Sequence, residues 1–197
     1  MSLASAASYD AQPVSLRDRL CDAAVHLLTT QGWGHVTMGR LADRVGVSRQ
    51  TVYNEIGTKS DLAEALVLRE LDLFLAGVIR SFDENPDDVV EALRAAVRRV
   101  LKYATDNALL HAVVSANHGA DTELLPLLTT NSASLLEGAT FAVKTRVKEY
   151  DLDLTDDQVD TCVDLIVRLV LSHVMQPGGD PADVADQIAW VTAKVIG

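Results

Sequence analysis

The chain has 197 residues, a net charge of −11, and 48% hydrophobic residues of which few are aromatic. That length can bury a sizeable core, and a core poor in rings must be built from Leu, Val and Ala, which suits packed helices. No apolar run reaches the roughly 18 residues that a membrane-spanning helix requires, which excludes that class.

Residues 1–14, MSLASAASYDAQPV, lack the basic start and long apolar stretch of a secretory leader and read as a disordered arm. Ser15 then caps a helix running to about Thr30, with Leu20, Ala23, Ala24, Leu27 and Leu28 as its buried stripe. Arg17 and Arg19 stand at its start, in reach of a phosphate. Gln31-Gly32 ends it, and Trp33 and Val36 are expected to pack beneath the next two helices.

Thr37 caps a short helix whose apolar positions, Met38, Leu41, Ala42 and Val45, share one face. Gly46 falls where a chain leaving a helix often needs positive φ, and Ser48 caps a second short helix from Arg49 to Ile56. Val52 and Ile56 bury one side of it. The other side offers Arg49, Gln50, Thr51, Tyr53 and Asn54, residue types that bond base edges and phosphates, where a merely solvated helix would be rich in Glu and Lys. Two short helices joined by a glycine turn, the second with such a face, describe a helix-turn-helix.

Thr58 and Asp61 cap a longer helix from Lys59 to about Ser81, with Leu62, Ala65, Leu66, Leu73, Phe74 and Val78 facing inward. Asn85-Pro86-Asp87 breaks the chain and starts a helix to about Thr105. A shorter helix is expected over 108–117 and a longer one over 123–150, with Gly138 as its weak point. Thr155 to Gln158 is a capping box for a helix to Met175, and Asp180-Pro181 launches a last one. No strand-period segment appears, so the fold class is all-α with about nine helices.

Residues 16 to 66 resemble the DNA-binding domain of the tetracycline-repressor (TetR) family of bacterial regulators, through RDRLCDAAVHLLTTQGW, VTMGRLADRVGVSRQTVYNEI and TKSDLAEALV. Ile56 stands where that family mostly has Phe, and Asn54-Glu55 where His or Arg types are frequent, so no operator sequence carries over. The resemblance implies that Thr37, Arg40, Ser48, Arg49, Gln50, Thr51, Tyr53, Asn54 and Lys59 form the contact set for double-stranded operator DNA. It also implies a homodimer paired through the last two long helices. The residues point the same way: 162–175 is apolar almost all round, and Val184, Ile188, Val191 and Val195 make a seam. The expected interface is Val163, Ile166, Val170, Val184, Ile188 and Val191.

The charge is segregated. Residues 1–60 hold six basic and five acidic groups, a balance of +1, while 61–197 hold eleven basic and 23 acidic, a balance of −12. Cys21 and Cys162 sit in separate helices without metal-type spacing and read as free thiols in a reducing cytoplasm. There is no glycine-rich phosphate loop, HExxH or nucleophile elbow, so neither an enzyme, a cofactor nor a metal is expected. His111 and His118 are seven apart but lack a third ligand. Phe74, Tyr103, His111, Asn117, Phe141 and His173 are the polar or aromatic groups in apolar helices that could orient a small molecule.

Together the residues and the resemblance imply a cytoplasmic homodimeric regulator, expected to be a repressor released from DNA by a small-molecule effector. Residues 1–14 form the arm, 15–60 the DNA-binding domain and 61–197 the regulatory and dimerisation domain. A DNA-binding regulator without a ligand differs in lacking a usable cavity. An α-helical protein-interaction module leaves the outer face of 49–56 unexplained.

Overall fold

The computed structural model describes residues 14–111 and 132–196. Among the described residues there are eight α-helices, one 3-10 turn and no strand. The helices are α1 (Leu16–Gln31), α2 (Met38–Val45), α3 (Arg49–Ile56), α4 (Lys59–Glu84), α5 (Val89–Asp106), α6 (Ser132–Val147), α7 (Asp156–Met175) and α8 (Pro181–Ile196), and the 3-10 turn Trp33–His35 follows α1. A further helix opens at 108–111, capped by Asn107, whose Oδ1 accepts from the Leu110 N–H at 2.9 Å.

The expected caps form because each supplies an oxygen to N–H groups that have no partner inside the helix. Ser15, Thr37 and Ser48 accept from Asp18, Arg40 and Thr51 backbone N–H groups at 3.0, 3.3 and 3.0 Å. Thr58 with Asp61, and Thr155 with Gln158, close reciprocal capping boxes. The Asp61 carboxyl is held below its usual range, first by the Thr58 backbone N–H and then by its hydroxyl.

Three boundaries differ from expectation. Helix α4 continues past Ser81 to Glu84, because Arg99 binds its last turn through Gly77 O, Ser81 Oγ and Glu84 at 3.2, 2.7 and 3.0 Å. The next helix begins at Val89, not beside Pro86, since the Asp88 carboxylate accepts from Glu91 N–H at 2.9 Å and so sets the first turn. Within the predicted 123–150 helix, the described part is Ser132–Val147, and the Tyr150 N–H turns back to Val147 O at 3.2 Å.

Three groups of buried side chains hold the elements together. The first joins α1, α2 and α3 to the start of α4, with Leu20, Leu41, Val52, Leu62 and Leu66 at its centre. Trp33 and Val36 lie in it as expected. The second packs the end of α4, through Val78 and Phe82, against Leu93 of α5, Val143 and Val147 of α6, and Val159, Val163 and Val167 of α7. The third seats Val184, Ala185 and Ile188 of α8 on Val97 and Leu101 of α5.

Helix α4 therefore has each end in a different core. At 1.5 Å per residue it spans about 39 Å. Leu73, expected inside, is instead exposed. The inward row runs Leu62, Leu66, Glu70, Phe74, Val78 in steps of four, and Leu73 sits about 100° from its neighbour Phe74.

Phe82 is fully buried, with the Tyr150 ring tilted against it at 6.1 Å between centroids and the Tyr150 hydroxyl donating to Asn85 O at 2.7 Å. Phe82→Ala is expected to cost about 3–5 kcal/mol of unfolding free energy. Urea denaturation checks this, with the midpoint lowered and the slope unchanged.

Candidate nucleic-acid interface and effector cavity

The hairpin of α2 and α3 owes its tightness to Gly46. Its φ of 78° and ψ of 39° lie in the left-handed region, where a side chain is strained. In that shape the N–H groups of Gly46 and Val47 both donate to Ala42 O, at 2.9 and 3.0 Å, and the chain enters α3 at once. Gly39 has a second role. A Cβ there would meet the Arg49 guanidinium at 2.9–3.0 Å, so its absence lets Arg49 lie across α2.

The outer face of α3 carries the predicted residues. Gln50 and Asn54, one turn apart, are joined by a 2.9 Å hydrogen bond from Gln50 Nε2 to Asn54 Oδ1, which presents them as a pair. The Ser48 and Thr51 hydroxyls lie 2.8 Å apart at the N-terminus. Tyr53 is exposed. Lys59, at the start of α4, places its ammonium 5.0 Å from the Trp33 ring centroid, a cation–π contact that aims the side chain. The Thr37 hydroxyl is at the N-terminus of α2, where N–H groups and the helix dipole favour an anion.

Three arginines make contacts within the three-helix unit that the sequence reading did not foresee. Arg17 donates to Glu55 O at 3.0 Å and Arg19 to Val45 O at 2.9 Å. They close the carbonyl ends of α3 and α2, where terminal C=O groups lack partners and the dipole is negative. Arg40 donates to His35 O at 3.1 Å and to Gln31 Oε1. All three brace the three-helix unit from its surface.

Between the first and second cores lies a cavity of about 430 Å³. The middle of α4 forms one wall, with Glu70, Phe74 and Val78. Leu28, Trp33 and Leu66 of the first core bound it below, and Val97, Val143, Ile166, Val170 and Val174 close the far side. Among the described residues lining it, Glu70 is the only charged side chain. Its Oε2 accepts from the Tyr103 hydroxyl at 2.6 Å and from Asn107 Nδ2 at 2.5 Å. The Tyr103 ring meets Phe74 edge-on at 4.8 Å.

Of the predicted ligand residues, Phe74 lines this cavity and Tyr103 stands behind Glu70. His111 and His173 instead border a separate cleft of about 50 Å³ near Pro177 and Pro181. The His111 ring nitrogen Nε2 lies 2.8 Å from Thr105 O. Phe141 is 73% exposed and borders neither space. Asn117 and His118 lie outside the described residues. Glu70 and Asn107 were missed, although a signal existed: Glu70 interrupts an otherwise apolar row at four-residue spacing.

The predicted interface residues are displaced in the same way. Val163, Val184 and Ile188 are buried in the chain's own cores, and Ile166 and Val170 line the cavity. Only Val191, 51% exposed, faces out. The outward apolar row is Leu165 at 61% and Leu169 on α7, with Trp190 at 65%, Val191 and Val195 on α8. Where both sides of a helix are apolar, periodicity marks two faces without saying which one the chain covers itself.

A helix-turn-helix with a polar recognition helix, tied by one long helix to a helical body, defines a DNA-binding transcriptional regulator. Comparison with known proteins agrees. Residues 20–66 match the family described as bacterial regulatory proteins, tetR family, and residues 88–194 match the bacterial tetracyclin repressor, C-terminal domain. The chain belongs to the tetR family. The HTH-type transcriptional regulator AlkX of Mycobacterium tuberculosis (strain ATCC 25618 / H37Rv) is 33% identical over 181 residues, covering 91% of this chain and 84% of the relative.

The crystal structure of the TetR family repressor AlkX from Dietzia sp. strain DQ12-45-1b, implicated in biodegradation of n-alkanes, has a TM-score of 0.71 at 28% identity. The match covers 92% of this chain and 95% of that one. FadR of Bacillus subtilis, solved with stearoyl-CoA, has a TM-score of 0.59 at 16% identity over 91% of this chain and 97% of that one, a likeness of fold alone. No described helix is long and apolar enough to cross a membrane.

The Tyr103 phenol is pushed up to about 12, first by burial and then by its hydrogen bond to Glu70. A raised folded value favours the neutral form. Its contribution to stability is therefore complete below the ordinary tyrosine value near 10 and is lost as pH rises through about 12. Ultraviolet titration is expected to show a late-ionising tyrosine phase that Tyr103→Phe diminishes.

Proposed function

We propose that the chain is a homodimeric repressor that leaves its operator when an aliphatic small molecule enters the cavity between its two main cores. The observation that carries this reading is that one apolar space touches both the first core and the middle of α4. Its volume falls within the range of about 300–1,000 Å³ usual for small-molecule sites. The similar AlkX repressor, tied to n-alkane biodegradation, supports an aliphatic occupant. Residues 15–60 serve as the DNA reader and 61–197 as the regulatory and dimerisation part, acting in the cytoplasm where operator DNA is found.

In the reader, Tyr53, Lys59 and Thr37 hold phosphates while Arg49, Gln50, Thr51 and Asn54 supply base readers. Two such units fit successive major grooves when their recognition helices are about 34–36 Å apart or a multiple of that. A ligand that prefers a body with another spacing must weaken DNA binding by linkage. The second copy packs on the outward row of α7 and α8, since several large apolar side chains together on the surface mark an association site.

Lys59→Ala is expected to weaken binding to all DNA sequences alike and to flatten the salt dependence by about one unit of slope. Gln50→Ala should instead change preference at one base pair, by about 1–3 kcal/mol. Gel shifts with the DNA upstream of its own gene, over a salt series, test both. Wild-type affinity and base preference in both variants would remove Gln50 and Lys59 from the interface.

For assembly, Leu165→Glu and Trp190→Glu are expected to give monomers that keep their helicity and lose high-affinity operator binding. Sedimentation of wild type and variants at micromolar concentration decides it, and a monomeric wild type would overturn the dimer.

A further inference from the structure

Among the described residues that line the cavity, every side chain but one is uncharged and apolar or aromatic. Leu, Val, Ala and Phe side chains cover it on every described helix that borders it, and a carboxylate, Glu70, stands among them. An ionisable group placed in an apolar wall must satisfy its lone pairs or lose the hydration it had in water. Half of this group is satisfied. Both hydrogen bonds it receives, from Tyr103 Oη and Asn107 Nδ2, end on Oε2. Oε1 accepts none from any described residue, so Glu70, a lining residue of the space, keeps acceptor capacity that no described residue uses.

The position of this oxygen is held on two sides. Glu70 is pulled toward α5 by Tyr103 and by Asn107 just beyond it, and Phe74, one turn further along α4, rests against the Tyr103 ring. Tyr103 remains a donor throughout the physiological range, its phenol being pushed up to about 12 by burial and by Glu70 itself. A donor pair that stays in place keeps Oε2 occupied and leaves Oε1 for a third partner.

We infer that Glu70 selects the polar end of the effector, admitting an aliphatic chain that carries a hydrogen-bond donor, a hydroxyl or an ammonium, and disfavouring one that ends in a carboxylate. This rests on the proposed effector cavity and names the ligand class for it. A hydroxyl or ammonium completes the acceptor set of Glu70. A carboxylate brings a second negative charge against the first in a medium poorer than water, where like charges oppose each other strongly. A plain alkane fills the space but leaves Oε1 without a partner and forfeits the contact. Sites built to hydrogen-bond a polar group discriminate strongly against the analogue that lacks it.

The test uses the full chain and four ligands of equal chain length: decane, decanol, decylamine and decanoate. Isothermal titration calorimetry with wild type is expected to rank decanol and decylamine at least about tenfold tighter than decanoate, with decane between. Glu70→Gln keeps the shape, replaces the charge with an amide that can donate, and is expected to bring decanoate to within about twofold of decanol. Glu70→Leu should bind decane better than wild type does and lose the preference for decanol. Circular dichroism confirms that both variants are folded, with Glu70→Gln as the arm that survives if the leucine does not fold. Equal binding of decanol and decanoate by wild type, or a head-group preference unchanged in Glu70→Gln, overturns the role of Glu70 while leaving the cavity in place. Failure of all four to bind overturns the effector cavity itself and this inference with it. A preference for decylamine over decanol indicates a cationic effector, and the reverse a neutral one; both uphold the donor.

Discussion

One helix has to satisfy two cores. Leu62 and Leu66 of α4 lie in the packing of the three N-terminal helices, and Val78 and Phe82 in that of the body. Between these pairs the inward side of the same helix faces a cavity. Interiors are close-packed and respond to added volume by shifting whole elements rather than by compressing. A molecule lodged against Glu70, Phe74 and Val78 therefore acts on a rigid rod anchored at both ends. The lower boundary includes Trp33, whose ring also carries the Lys59 ammonium. At that point one side chain, Trp33, separates the cavity from the Lys59 ammonium.

The reader needs stiffness for the opposite reason. Its α2 and α3 are only eight residues long, and short helices are marginal alone because nucleation is costly. Packing and end-capping supply what length does not. Ser48 caps the start of α3, while Arg17 and Arg19 reach from α1 to the carbonyl ends of α3 and α2. Each of those arginines, expected in reach of a phosphate, also donates to the carbonyl end of a neighbouring helix. The other residues of the proposed contact set are held in place by neighbours: Gln50 by Asn54, Arg49 over Gly39, and Lys59 over Trp33.

The body is organised around α5, which packs α4 on one side and seats α8 on another. Its polar contacts are few and placed at the ends of the α4 contact. Arg99 ties α5 to the last turns of α4, and Tyr103 with Asn107 ties it to Glu70 in the middle. Helix α4 borders the cavity on both sides of the Glu70 tie, from Ala63 to Phe82.

Much of this was legible from residue order. The helix starts came from Ser15, Thr37, Ser48, Thr58 and Thr155, because a cap is a local interaction that three or four residues complete. The glycine turn and the polar face of α3 are local for the same reason. The all-α class and tetR membership rest on such signals together with the matching relatives. What required the tertiary structure was every choice among equivalent faces. Val163, Val184 and Ile188 cover the chain's own core while Leu165 and Trp190 turn outward, and a helix apolar all round offers no period to tell them apart. The cavity is likewise a property of spacing between helices, since it arises where α4 spans two cores whose side chains do not meet. Glu70 is recorded in the sequence only as an interruption. Its role depends on Tyr103 and Asn107, more than thirty residues away in the chain and brought to it by the packing of α5 on α4.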